Sequence, residues 1–126
     1  MFKRVLVAVD DSAAGNAAYD TAADLARDLH ASLTAITVAD KSQLPAAQAL
    51  LEACRKRNTV KGVEPEMIVR EGSPADAIRE ATGSMRWDVL VIGTRGRQGV
   101  SRVLVGSVAE KLLHSSEIPV LVVRRS

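Results

Sequence analysis

The chain has 126 residues, enough for one domain core and too few for two. Hydrophobic residues make up 47% and charged residues 25%, an ordinary globular balance, and no apolar run approaches the ~20 residues of a membrane-spanning helix. Lys and Arg number 17 against 15 Asp and Glu, a net +2 without a basic tail, and only Phe2, Tyr19 and Trp87 are aromatic, so stacking platforms for nucleic acid are nearly absent.

Arg4 to Val9 (RVLVAV) is a continuous β-rich run and predicts a strand covered on both faces. The residues around it, MFKRVLVAVDD, lack the long apolar region and cleavage site of a signal peptide, so the expected location is cytoplasmic, with no membrane insertion. Ser12 stands as an N-cap before a helix whose stripe is Ala14, Ala18, Ala22, Leu25 and Leu29. Leu33 to Val38 is the second strand. Ser42 is the expected cap of a second helix, with Pro45 in its first turn and Ala47, Leu50, Leu51 and Cys54 as its buried face. Cys54 is the single cysteine, which rules out an internal disulfide and reads as a buried, inert thiol.

Glu66 to Arg70 alternates more than the first strand, as an edge strand does. Ser73, Pro74 and Asp76 predict a helix start, with Ala77, Ile78 and Ala81 inward and Gly83 at its end. Asp88 to Ile92 is the fourth strand. After a long loop, Gly106-Ser107 opens a helix with Val108, Leu112 and Leu113 on one side, and Pro119 leads into the last strand, Val120 to Val123. His30 and His114 fall near helix C-termini, where an imidazole is favourable. Trp87 reads as a packing or rim residue, and Glu110 and Lys111 as a solvated helix face.

Alternation of this kind predicts a single doubly wound α/β domain over residues 1–126: a five-stranded parallel sheet, order 3-2-1-4-5, with helices on both faces. The strand order reverses between strands one and four, and ligands of such sheets bind there, beyond the strands' carboxyl ends. The unusual residues gather at that place. Strand one ends in Asp10-Asp11-Ser12. Strand four ends in Gly93-Thr94-Arg95-Gly96, and nine residues separate Gly96 from Gly106-Ser107. Gly93 and Gly96 permit close main-chain approach, and Gly106-Ser107 opens a helix whose first amides are unpaired and whose dipole favours an anion. Arg86, Arg95, Arg97 and Arg102 cluster around the stretch. Asp10, beside that cradle, is placed to accept hydrogen bonds from ribose hydroxyls. Neither a G-x4-G-K-[ST] loop nor a G-x-G-x-x-G after the first strand is present.

The sequence GTRGRQGVSRVLVGS from Gly93 to Ser107 resembles the G-x2-G-x9-G-[ST] motif of ATP-binding members of the universal stress protein family. The opening VLVAVDDS and the closing IPVLVVR are similar to that family as well, so the resemblance spans the chain. It implies binding of ATP, or of ADP or AMP, with contacts from Ala8, Val9 and Asp10, with Val38, Ile92 and Gly93 around the adenine, and with Gly96, Gly106, Ser107 and Val108 at the phosphates. Aliphatic walls around the base would suit so aromatic-poor a chain. A Mg²⁺ bridged by the phosphates is more plausible than a dedicated protein site. The resemblance further implies a homodimer joined through Val120–Val123 and a regulatory role with an unidentified protein partner. Ala8 stands where ATP-binding members often have proline, Asp11 where glycine is common, and the segment after strand two is short. Two other functions remain open at this stage: slow ATP hydrolysis or phosphotransfer, for which only Asp10, Asp11 and arginines are on offer, and a nucleotide-free interaction scaffold.

Overall fold

The computed structural model describes residues 3–10, 13–94 and 107–124, without the side chains of residue 13 and residues 58–61. Its elements alternate along the chain: β1 (Arg4–Ala8), α1 (Ala13–Leu29), β2 (Ser32–Val38), α2 (Leu44–Lys61), β3 (Glu66–Arg70), α3 (Pro74–Ser84), β4 (Val89–Gly93), α4 (Ser107–Ser115) and β5 (Val120–Val123). The five strands are parallel in the order β3-β2-β1-β4-β5, the topology expected from the alternating apolar runs.

Period-two alternation assigns the side chains of the central strands to two cores. Val5, Val7 and Val9, with Val89 and Val91, pack under α1 and α2. Leu6 and Ala8, with Leu90 and Ile92, pack under α3 and α4. A strand covered on both faces has no polar alternation, which is why β1 and β4 read as unbroken apolar runs. β3 lies at one edge, as its sequence pattern indicates, and β5 at the other.

Several details depart from the sequence expectations. In α1 the buried face is Ala14, Ala18, Tyr19, Ala22, Ala23 and Ala26, and Leu29 is 43% exposed. Leu25 of the expected stripe is half-buried against this core, but the fully buried line runs from Ala22 to Ala26 and Leu29 leaves it, because small side chains let the helix approach the sheet closely. The helix then stops at His30, whose φ of 55° is left-handed. The Ala31 amide bonds the Ala26 carbonyl at 2.8 Å and the His30 amide bonds the Arg27 carbonyl at 3.3 Å, which closes the helix end without glycine.

Ser42 does not cap α2. It sits in a short 3₁₀ turn, Lys41–Gln43, and its hydroxyl donates to the Asp40 carboxylate at 2.6 Å, while the Gln43 side chain accepts from the Asp40 amide at 3.1 Å. Ser73 does precede Pro74 at the start of α3, but its hydroxyl donates to the Asp76 carboxylate at 3.0 Å and makes no side-chain bond to a helix amide. α3 runs through Gly83 to Ser84, and its buried residues are Ala75, Ile78 and Ala81, with Ala77 only half-buried. In α4, Ala109 and Leu112 are buried and Leu113 is 45% exposed. Cys54 is buried, and burial pushes its thiol pKa up. Trp87 is a packing residue: its indole N–H donates to the Ala81 carbonyl at 3.0 Å, and the Arg4 guanidinium lies 5.7 Å from the ring centroid.

Candidate functional site

β1 and β4 are neighbours, yet the chain leaves them toward opposite halves of the sheet, β1 through α1 to β2 and β4 through α4 to β5. Helices that diverge from adjacent strand ends leave a crevice above them. A crevice of about 250 Å³ opens there, just below the ~300–1,000 Å³ of typical small-molecule clefts.

Its floor comes from the ends of three strands. Ala8, Val9 and Asp10 arrive from β1, Ile36, Thr37 and Val38 from β2, and Ile92, Gly93 and Thr94 from β4. Parallel register brings them level: Ala8 pairs with Ile36, and the Val9 amide continues the ladder to the Ile36 carbonyl at 2.9 Å. The Thr37 hydroxyl donates to the Val9 carbonyl at 2.8 Å, so the segment leading to Asp10 is tied to β2 by both main chain and side chain. The Thr94 amide bonds the Val123 carbonyl at 2.9 Å, fixing the exit of β4 to β5.

One wall is apolar. Ile78 of α3 and Val108 and Ala109 of α4 face Ile36, Val38 and Ile92 across the opening. Polar groups enter from the other parts of the rim. Asp10 is exposed and is the one carboxylate among the described lining residues. Ser107, Val108 and Ala109 form the first turn of α4, and all three line the crevice. A helix presents the positive end of its dipole at its N-terminus, and that end of the described α4 is turned to the crevice. An apolar slot with a carboxylate and the start of a helix at its margin suits a flat, weakly polar ring joined to a hydroxylated, anionic tail.

Of the ten candidate residues from the sequence, Ala8, Val9, Asp10, Val38, Ile92, Gly93, Ser107 and Val108 line this crevice. Gly96 and Gly106 lie outside the described residues, as do Asp11, Arg95, Arg97 and Arg102. Arg86 does not belong to the cluster: it precedes β4, and its charge acts on Asp88 at the strand's amino end, away from the crevice. Gly93 contributes main chain, and the space that a Cβ would need there holds Ala14, whose carbonyl oxygen would be 2.7 Å away. Its lack of a side chain serves the packing of α1 against β4.

Sequence reasoning passed over Gly15, Thr37 and Ile78. Gly15 also lines the crevice, and a Cβ on it would run into Asp10. A glycine in the first turn of an alanine-rich helix is itself an anomaly, and that was the available signal. Thr37 and Ile78 carried none, because a threonine in a strand and an isoleucine in a helix are ordinary core residues.

The universal stress protein family model matches residues 1–124. The chain is similar to the universal stress protein MJ0531 of Methanocaldococcus jannaschii, 31% identical over 142 residues that cover 99% of this chain and 84% of that protein. The structure of the universal stress protein UspA from Lactobacillus plantarum aligns with a TM-score of 0.80 at 24% identity, covering 98% of both chains, a likeness of fold. A universal stress protein solved in complex with cAMP aligns with a TM-score of 0.84 at 28% identity, over 99% of this chain and 98% of that one.

Proposed function

The chain belongs to the universal stress protein family, and from that premise we propose that the crevice between β1 and β4 holds an adenine nucleotide, with ATP as the ligand. One observation carries the reading: an apolar slot, an exposed carboxylate and the first turn of a helix meet at the place where the strand order reverses. The adenine lies between Val38, Ile92 and the aliphatic wall. Asp10 accepts from the ribose hydroxyls. Ser107 and Val108, with Gly96 and Gly106 of the spaced-glycine motif, hold the phosphates through main-chain amides. The 28% identical protein solved with cAMP supports an adenine nucleotide as the ligand class. Mg²⁺ enters as a partner of the phosphates, whose oxygens are the hard ligands it prefers.

The role is regulatory binding, in which nucleotide occupancy biases conformation or assembly. Hydrolysis would need a residue that orients or deprotonates a water at the terminal phosphate, and turnover of Mg-ATP in the wild type and in Asp10→Asn separates the two roles. Assembly is proposed through β5. Among the described residues both edge strands lack a second strand partner, but β3 carries Glu66 and Arg70 while β5 is Val-Leu-Val-Val, with Leu121 38% exposed. Charges protect an edge, and a bare apolar edge invites a second strand.

The test begins with denaturing purified protein and identifying any released nucleotide by absorbance and chromatography. Titration calorimetry with Mg-ATP, AMP and cAMP then ranks the ligands. Gly106→Asp places a negative charge where the phosphates sit and should eliminate binding while leaving the folded circular-dichroism spectrum intact. Equal affinity in that variant would remove the reading.

A further inference from the structure

α1 begins with a glycine that its own helix does not need. Alanine is the better helix former, and the neighbouring positions Ala13, Ala14, Ala17 and Ala18 are all alanine. A Cβ on Gly15 would lie 2.8 Å from the Asp10 carbonyl oxygen and 2.9 Å from its amide nitrogen, and closer still to its carboxylate. Two of those neighbours are main chain and cannot swing aside. Gly83, also helical, has nothing within 4 Å of the same built position, so the crowding at Gly15 is specific to its place.

The same turn also meets β4. Ala14, one residue earlier, is against Gly93 at the end of β4, where a Cβ would approach the Ala14 carbonyl oxygen to 2.7 Å. The first turn of α1 therefore lies against the exits of both strands that border the crevice, with a missing side chain at each contact. A methyl added at residue 15 needs space that Asp10 now fills, so the turn and Asp10 must part.

We infer that Gly15 is the positioning residue for Asp10: its bare Cα lets α1 close onto the Asp10 main chain and carboxylate, and so sets that carboxylate's reach toward the sugar hydroxyls of a bound nucleotide. This rests on the reading of Asp10 as the ribose acceptor. Gly15 thereby determines selectivity for ribose over deoxygenated sugars without touching the ligand's hydroxyls itself.

The experiment compares the affinities of ATP and 2′,3′-dideoxy-ATP, with Mg²⁺, in wild type, Gly15→Ala, Asp10→Ala and the control Gly83→Ala. In wild type the ratio should favour ATP by roughly tenfold or more, the scale of a hydrogen bond to a charged acceptor. Gly15→Ala should bring the ratio close to one by weakening ATP alone, Asp10→Ala should do the same, and Gly83→Ala should keep the wild-type ratio. A wild-type ratio retained in Gly15→Ala overturns the inference, and so does an equal loss for both ligands, which is what general damage to the crevice would give. Wild type that binds both nucleotides equally removes the ribose role of Asp10 and the inference with it; wild type that binds neither removes the proposed function. If Gly15→Ala is too unstable for calorimetry, the melting-temperature rises produced by saturating ATP and 2′,3′-dideoxy-ATP are compared in its place. Equal rises support the inference, and a larger rise with ATP overturns it.

Discussion

The Thr37 hydroxyl donates a buried 2.8 Å hydrogen bond to the Val9 carbonyl, joining the end of β2 to the residue before Asp10. The bond lies on the floor of the crevice and connects its stability to its shape. Thr37→Val keeps the volume and removes the donor, leaving a buried carbonyl oxygen without that partner. The expected cost is ~1–3 kcal/mol. Urea denaturation measures it, and calorimetry should show weaker nucleotide binding in the same variant. A loss of stability with unchanged affinity would mean that the segment before Asp10 is held sufficiently by the Val9 amide.

Tyr19 is fully buried in α1, and its hydroxyl has no hydrogen-bond partner among the described residues. Tyr19→Phe removes an unsatisfied group and keeps the ring, so at pH 7 it should be within ~1 kcal/mol of wild type or more stable. Burial pushes the Tyr19 pKa up, and it pushes the Cys54 thiol up as well. Groups whose folded pKa is raised add stability below their unfolded pKa and lose it as pH climbs toward the folded value. Wild type should therefore weaken in alkali from about pH 8.5, where an ordinary thiol begins to titrate, and more steeply above about pH 10. Tyr19→Phe should lose only the second part. Denaturation curves between neutral and strongly alkaline pH would show whether the two slopes differ.

At the opposite end of the sheet, the Asp88 carboxylate accepts from the Lys3 amide at 2.8 Å and the Arg4 amide at 3.0 Å. The Lys3 amide first, then the Arg4 amide, hold its pKa below the ordinary carboxylate value. A depressed carboxylate adds stability above its unfolded pKa of about 3.9 and loses it as pH falls through the folded value. Asp88→Asn should melt lower at pH 7 and show a shallower fall in melting temperature below about pH 4. Parallel acid limbs in the two proteins would exclude this contribution.

Leu121 is the most exposed residue of β5. If copies of the chain associate along that edge, Leu121→Lys should raise the dimer dissociation constant by roughly a hundredfold, about 2.7 kcal/mol, with little effect on monomer stability. Sedimentation at several concentrations tests this, and an unchanged profile would sink the interface. The charge substitution is cleaner than deleting the strand, because β5 also pairs with β4 from Leu90↔Val120 to Gly93↔Val123.

The spacing of apolar runs was enough to order the strands, because β1 and β4 are buried on both faces and β3 only partly. Helix faces were harder. From Ala22 a stripe can continue to Leu25 and Leu29 or to Ala26, and hydrophobicity favours the leucines. Close packing against the sheet favours the small residue, so Ala26 is 1% exposed and Leu29 is outside. Caps failed for other reasons: Ser73 stands at the N-cap of α3 but its hydroxyl is taken by Asp76, and Ser42 lies inside the 3₁₀ turn before α2 with its hydroxyl on Asp40. Of the candidate site, Asp10 and Ser107 were legible because a strand end and a helix start can be read from local pattern, while Ala8 and Ile92 were implied by the family resemblance. Thr37 and Ile78 were not, since their place at the crevice depends on β2 and α3 lying beside β1.

By itself the sequence determined the alternation of strand and helix, the reversal of strand order between the first and fourth strands, and the presence of an acidic strand end beside it. Those follow from period, composition and spacing, which are local properties. Only the tertiary structure decided which glycines serve the main chain of the protein itself: Gly93 gives way to Ala14, and Gly15 to Asp10. Such clearances are set by where distant segments come to rest, and a one-dimensional pattern holds no measure of the gap between them.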